Sequence, residues 1–198
     1  MSQRKVRMPK ERLLAFSDGV SAIVITIMVS ELKVPHDADI RTMEPLVPVF
    51  LSYVLSFIYI AIYWNNHHHL LHAAEHVNGG ILWANLHLLF WLSLIPFTTG
   101  WLGENHAAPL PVAAYGAVLL CCAIAYTILN WALIRNHEAG SLLSKSSGVN
   151  TKGMFSIVSY VAAIPLAFVN PWISCALYVA VAFSWLIPER RIEREMEA

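Results

Sequence analysis

The chain has 198 residues, of which 57% are hydrophobic and only 13% charged, and its mean hydropathy is +0.55. That balance is too apolar for an ordinary soluble domain. Thirteen basic and thirteen acidic residues cancel to zero net charge at a pI near 7.1, which argues against a nucleic-acid partner.

A helix needs about 20 apolar residues to cross about 30 Å of hydrocarbon. On that rule the chain reads as an all-α membrane protein in one domain, residues 1–198, with six spans near 13–33, 45–68, 79–102, 109–134, 153–169 and 171–188. The basic start, MSQRKVRMPKER, is followed by no small-residue cleavage site, so the first span is expected to be retained. The charge-free run from Gly153 to Pro188 would be about 54 Å long as one helix. Asn170-Pro171 is a turn signal in its middle and divides it into two spans. Six spans place both termini with the 2–3 and 4–5 loops. That side carries eleven Lys and Arg residues, Arg4 to Arg12, Arg135, Lys145, Lys152 and Arg190 to Arg194, against Lys33 and Arg41 opposite. The basic side is the cytoplasmic one, so both termini are expected there. Gly140 to Lys152 reads as a cytoplasmic linker. Cys121, Cys122 and Cys175 lie inside apolar runs with no metal or disulfide spacing, and read as small core residues.

The first span, RLLAFSDGVSAIVITIMVSEL, holds a carboxylate at Asp18, and a charge at membrane depth requires a partner or a task. At about 100° per residue, Ile23, Ile27 and Ser30 share one narrow face with Thr26 at its margin. Asp18 points elsewhere, about 140° round from Ile23. Periodicity alone leaves that stripe open as a lipid-facing or packing surface.

The motif Arg-x-x-x-Phe-Ser-Asp, here Arg12, Phe16, Ser17 and Asp18, followed by Gly-Val and an Ile-rich run, resembles the first helix of the transmembrane protein 175 family. Two further segments carry the likeness. Trp64 precedes a His67-His68 pair at the end of the second span, and the third holds Leu-Leu-Phe, Ser-Leu-Ile-Pro-Phe and Leu-Gly-Glu runs within 88–104. Members of that family are cation channels that favour potassium, with the first helix lining a central pore. The resemblance implies a channel and not an enzyme, with no cofactor and potassium as permeant ion. It places Ile23 and Ile27 at the pore constriction and Ser30 where a third aliphatic residue is common. Thr26 falls at a hydroxyl position tied to potassium preference, with Ser30 as a second pore hydroxyl. Ser21 stands where phenylalanine is common. One six-helix unit per chain implies a homotetramer in the lipid of a prokaryotic plasma membrane. No TVGYG run is present, so weaker selectivity is expected than from a carbonyl filter.

The same reading expects one buried network of Arg12, Asp18, Trp64 and His67 or His68, fixing the first helix against the second. His87 is expected to be a buried core histidine bonded to a neighbouring helix. Trp172, Trp185 and Tyr178 are expected at the interface. The alternative function is an intramembrane metal protein or enzyme using Asp18 and the cluster from His67 to His76. His68 and His72 sit at i, i+4 and Glu75 is the nearest third ligand, but there is no HExxH motif. The same histidines would also suit a pH sensor.

Overall fold

The computed structural model describes residues 10–35, 39–72, 74, 77–136 and 151–186, all helix and turn apart from one isolated bridge residue, Val77. The basic terminal clusters, Glu75, His76 and most of the expected 140–152 linker lie outside the described residues. Among the described residues seven α-helices run in order: α1 Lys10–Ser30, α2 Val47–His72, α3 Gly79–Ser93, α4 Ile95–Glu104, α5 Pro109–Arg135, α6 Thr151–Leu166 and α7 Pro171–Leu186. A short 3₁₀ helix, Ile40–Leu46, leads into α2, with Asp39 accepting a hydrogen bond from the Arg41 amide.

Among the described residues, four helical stretches are long and apolar enough to cross a membrane: Lys10–Ser30, Met43–His72, Gly79–Glu104 and Pro109–Arg135. The last two helices are apolar but shorter, at 16 residues each. At about 1.5 Å per residue each is about 24 Å long. The expected division at Asn170 is observed. The Asn170 amide closes α6 on the Leu166 carbonyl at 2.8 Å, and its side chain accepts from the Trp172 amide at 3.0 Å, which starts α7.

The third span is two helices, not one. Pro96 has no N–H to give to the Leu92 carbonyl, and its ring crowds that position. The ladder therefore breaks at Leu94, whose amide falls back to the Trp91 carbonyl at 3.2 Å. From Thr98, bonded to the Leu94 carbonyl, it resumes as α4. The far end of α4 is held closely: a Cβ on Gly103 would lie 2.7 Å from the Val49 Cα of α2.

α5 is the central post, packed against α3, α4, α6 and α7. The core around it is built from tyrosines. Tyr59 of α2, Tyr115 of α5, Tyr160 of α6 and Tyr178 of α7 are all buried, with neighbouring ring centroids 5.6–6.5 Å apart. Buried phenols must find partners. Tyr59 donates to the Tyr178 carbonyl at 2.6 Å, and Tyr178 donates to the Val112 carbonyl at 3.0 Å. Tyr115 lies 2.9 Å from Ser56 Oγ, which Thr99 meets at 2.7 Å. Tyr178 is thus a core residue and not the interfacial anchor expected. Trp185 is half-buried with its indole N–H on Ser156, and Trp172 is exposed.

Gly116 lets α5 and α7 approach, because a Cβ there would land on the Tyr178 hydroxyl. Gly116→Ala is therefore expected to push Tyr178 off the Val112 carbonyl and to cost about 1–3 kcal/mol, the range for overpacking. A lowered unfolding temperature of the purified protein in detergent checks this.

Candidate functional site

α1 packs against α2, α3 and α4. Its inward residues are Leu13, Ser17, Val24 and Met28, spaced so that they form one stripe. The outward face is bare: Ile23 is 59% and Ile27 45% exposed, with Thr26 between them and Ser30 beyond them also exposed. Neither hydroxyl seeks a neighbour. Thr26 donates to the Ala22 carbonyl at 2.8 Å and Ser30 to the Ile27 carbonyl at 2.7 Å, both within α1. Each hydroxyl proton is thereby used, and each oxygen keeps its lone pairs for whatever lies outside. Phe16 is exposed on the same side.

The polar groups expected to form one network form two. The first is buried. His67 Nε2 lies 2.6 Å from Asn85 Oδ1, Asn85 Nδ2 donates to Ser17 Oγ at 3.0 Å, and Ser17 donates to the Leu13 carbonyl at 2.9 Å. Because an amide oxygen only accepts, His67 must carry its proton on Nε2. Donation therefore runs one way, from α2 through α3 to α1. The second lies further out: Trp64 Nε1 donates to Asp18 Oδ1 at 2.9 Å, with Asp18 half-buried. His68 stacks on Trp64 at 5.7 Å and on His72 at 4.2 Å between ring centroids, and bonds neither Asp18 nor Asn85.

Two expectations are corrected. Arg12 is exposed and bonds no described residue, because it lies on the outward face of α1, far round from Asp18. Lys10 holds that end instead, its ammonium 3.2 Å from the Ala74 carbonyl. His87 is also exposed, and its partner is not on another helix: Trp91, one turn on, donates to His87 Nε2 at 2.9 Å. Asn85, fully buried, was missed by sequence reasoning. Its signal was plain enough, an amide inside a 26-residue apolar span.

At the other end of the helix, Lys33 pairs with Glu104 at 2.6 Å. The bond to that carboxylate holds the Lys33 ammonium above its ordinary range. Both groups are exposed, so the pair adds little stability. Among the described residues no three His, Cys, Asp or Glu side chains converge as a metal site.

An all-helical membrane protein with an anchored first span bearing an unused face defines the class. The family model described as endosomal/lysosomal potassium channel TMEM175 matches residues 12–96. A protein described as a potassium channel of Chryseobacterium sp. (strain P1-3) is 52% identical over 190 residues, 96% of this chain and 99% of that one. A second, a potassium channel of Streptomyces collinus, is 31% identical over 86% of this chain and 88% of its own length. The crystal structure of a lysosomal potassium-selective channel TMEM175 homolog from Chamaesiphon minutus superposes with a TM-score of 0.74 at 27% identity, covering 89% of this chain and 96% of that one. The chain belongs to the TMEM175 family.

Removing the buried junction should cost more than removing the outer one. Asn85→Ala strands His67 and Ser17 and is expected to lose about 1–3 kcal/mol. Trp64→Phe is expected to lose about 0.6 kcal/mol, an average polar contact between membrane helices. Thermal melts of the two variants in detergent give the order.

Proposed function

We propose that this chain is a potassium-preferring cation channel: a homotetramer of six-span subunits in a prokaryotic plasma membrane, both termini cytoplasmic, with α1 of each copy around a shared pore. The observation that carries the reading is the bare stripe of Ile23, Thr26, Ile27 and Ser30, turned away from the subunit core on the family's first helix. The relatives described as potassium channels support it. A single copy of α1 encloses nothing, and closed rotational assemblies are the usual way to surround an axis with identical helices.

In such an assembly Ile23 and Ile27 form rings that offer an ion no oxygen in place of its hydration water, a gate that acts by dewetting. The hydroxyl oxygens of Thr26 and Ser30 partly replace that water, and potassium, being the more cheaply dehydrated ion, passes in preference to sodium. Ser30 in place of a bulky aliphatic residue leaves two aliphatic rings in the constriction. Asp18, Ser17, Trp64 and His67 act in this reading as positioning residues that set the rotation of α1, with His68 buttressing Trp64. Arg12 and Phe16 sit on the outward face at the cytoplasmic mouth. The metal-protein alternative has no third ligand among the described residues to favour it.

Proteoliposomes loaded for parallel outward potassium and sodium gradients test the proposal. Potassium flux should exceed sodium flux, and Ile23→Ala should raise both severalfold while narrowing their ratio. Absence of flux in the wild type and in Ile23→Ala alike would overturn it.

A further inference from the structure

The third span carries a second unused face. Trp83, His87, Phe90, Leu94, Phe97 and Trp101 follow one another at steps of four and three, the heptad spacing of a helix that packs against another helix. Four of them face outward, with His87 exposed and Trp83 73%, Phe90 56% and Phe97 68% exposed, while Trp101 is half-buried and Leu94, at the break between α3 and α4, rests partly on the core. A surface meant for lipid has no need of that period, nor of a histidine in its middle. With Nε2 accepting from Trp91, the neutral His87 ring carries its proton on Nδ1. That N–H has no partner among the described residues, and at membrane depth water does not supply one.

An acceptor is missing a donor on another face. Asp18 uses Oδ1 for Trp64, and Oδ2 bonds no described residue. Around it α2 presents its own heptad stripe, including Phe50, Phe57 and Trp64, all exposed, with Val54 and Ala61 half-buried between them.

The depths agree. Asp18 lies eight residues from the start of α1 at Lys10, His87 eight from the start of α3 at Gly79, and Trp64 eight from the end of α2 at His72. Those three helix ends are neighbours, as the Lys10 bond to the Ala74 carbonyl shows. All three groups therefore stand about 12 Å in from one end of the bundle. Rotation about an axis along the membrane normal leaves depth unchanged, so equal depth is the condition under which groups on different faces can meet in a closed assembly. The same count pairs large with small: Phe90 and Ala61 are each eleven residues from that end, Phe97 and Val54 each eighteen.

We propose that the outward stripe of α3 and α4 docks antiparallel on α2 of a second copy of this chain, with His87 of one copy donating through Nδ1 to Asp18 of the next. This rests on the shared-axis assembly above and adds which faces form it and which polar bond closes it. The anchor of the pore helix then includes a group from the neighbouring subunit.

Disulfide trapping in membranes tests the docking. In a background with Cys121, Cys122 and Cys175 changed to alanine, Ala61→Cys and Phe90→Cys are placed in one chain and oxidised. The expected result is a ladder from dimer to tetramer that neither single variant gives, and that Val161→Cys on the outer face of α6 does not give. Native mass spectrometry of the uncrosslinked protein separates the two ways of failing. Tetramers without a ladder overturn the docking and leave the shared axis standing, whereas monomers overturn the assembly itself.

For the polar bond, His87→Leu should lower the dissociation temperature of the tetramer by several degrees, and His87→Gln, which keeps an N–H donor, should restore most of it. In an Asp18→Asn background the leucine should have little further effect. A tetramer loosened by Arg12→Ala and indifferent to His87→Leu would assign Asp18 to the arginine and overturn the histidine bond.

Discussion

The arrangement depends on one constraint: in a bilayer a buried polar group must find its partner inside the protein. The side-chain amide of Asn85 meets it by accepting a hydrogen bond from His67 of α2 and donating one to Ser17 of α1. Because Ser17 must face that amide, the rotation of α1 is fixed. With Ser17 inward, Ile23 lies about 120° and Ile27 about 80° round from it, and both side chains are exposed. The Asn85–Ser17 bond sets the direction of the exposed aliphatic stripe, which needs no contact of its own to hold it in place.

The scaffold behind α1 obeys the same constraint with different residues. Four buried tyrosines meet in T-shaped and tilted pairs, and the hydroxyls of Tyr59, Tyr115 and Tyr178 end on carbonyls and on Ser56. Such partners hold helices at fixed rotation as well as fixed distance, which an aliphatic core does less specifically. Pro96 breaks the third span at Leu94, and Gly103 brings the end of α4 against the α2 backbone. Just past the end of α1, the exposed Lys33–Glu104 pair adds to the packing of buried Val24 and Met28 on the same side. The buried polar bonds lie at one end of α1, and apolar packing holds the other.

Much of this was legible in the residues. Apolar run lengths located the helices, and Asn170-Pro171 marked its turn because both residues act locally. Asp18 declared a partner by its cost, and Trp64 was the right choice because both lie near the same end of their helices. The errors came from properties that a sequence does not carry. Burial of His87 was inferred from depth in the membrane, but depth says nothing about which side of a helix faces the core. Arg12 was placed in one network with Asp18, although six residues on a helix set the two about 120° apart and Arg12 faces outward. Asn85 was passed over since a neutral amide attracts less notice than a histidine, though buried it is as demanding of partners. Whether a bare face meets lipid, ion or another copy is a property of the assembly and is written in no single helix.

The central claim is that the Ile23–Ser30 face of α1 lines a water-filled path. Cysteine accessibility tests it most directly: Ile27→Cys and Ser30→Cys, with Val24→Cys inward on α1 and Val158→Cys on the outer face of α6 as controls, treated with a charged methanethiosulfonate reagent during potassium flux. The account predicts that flux falls steeply at positions 27 and 30 and is unchanged at 24 and 158. Equal insensitivity at all four positions, in protein that conducts, would contradict it and move the pore elsewhere.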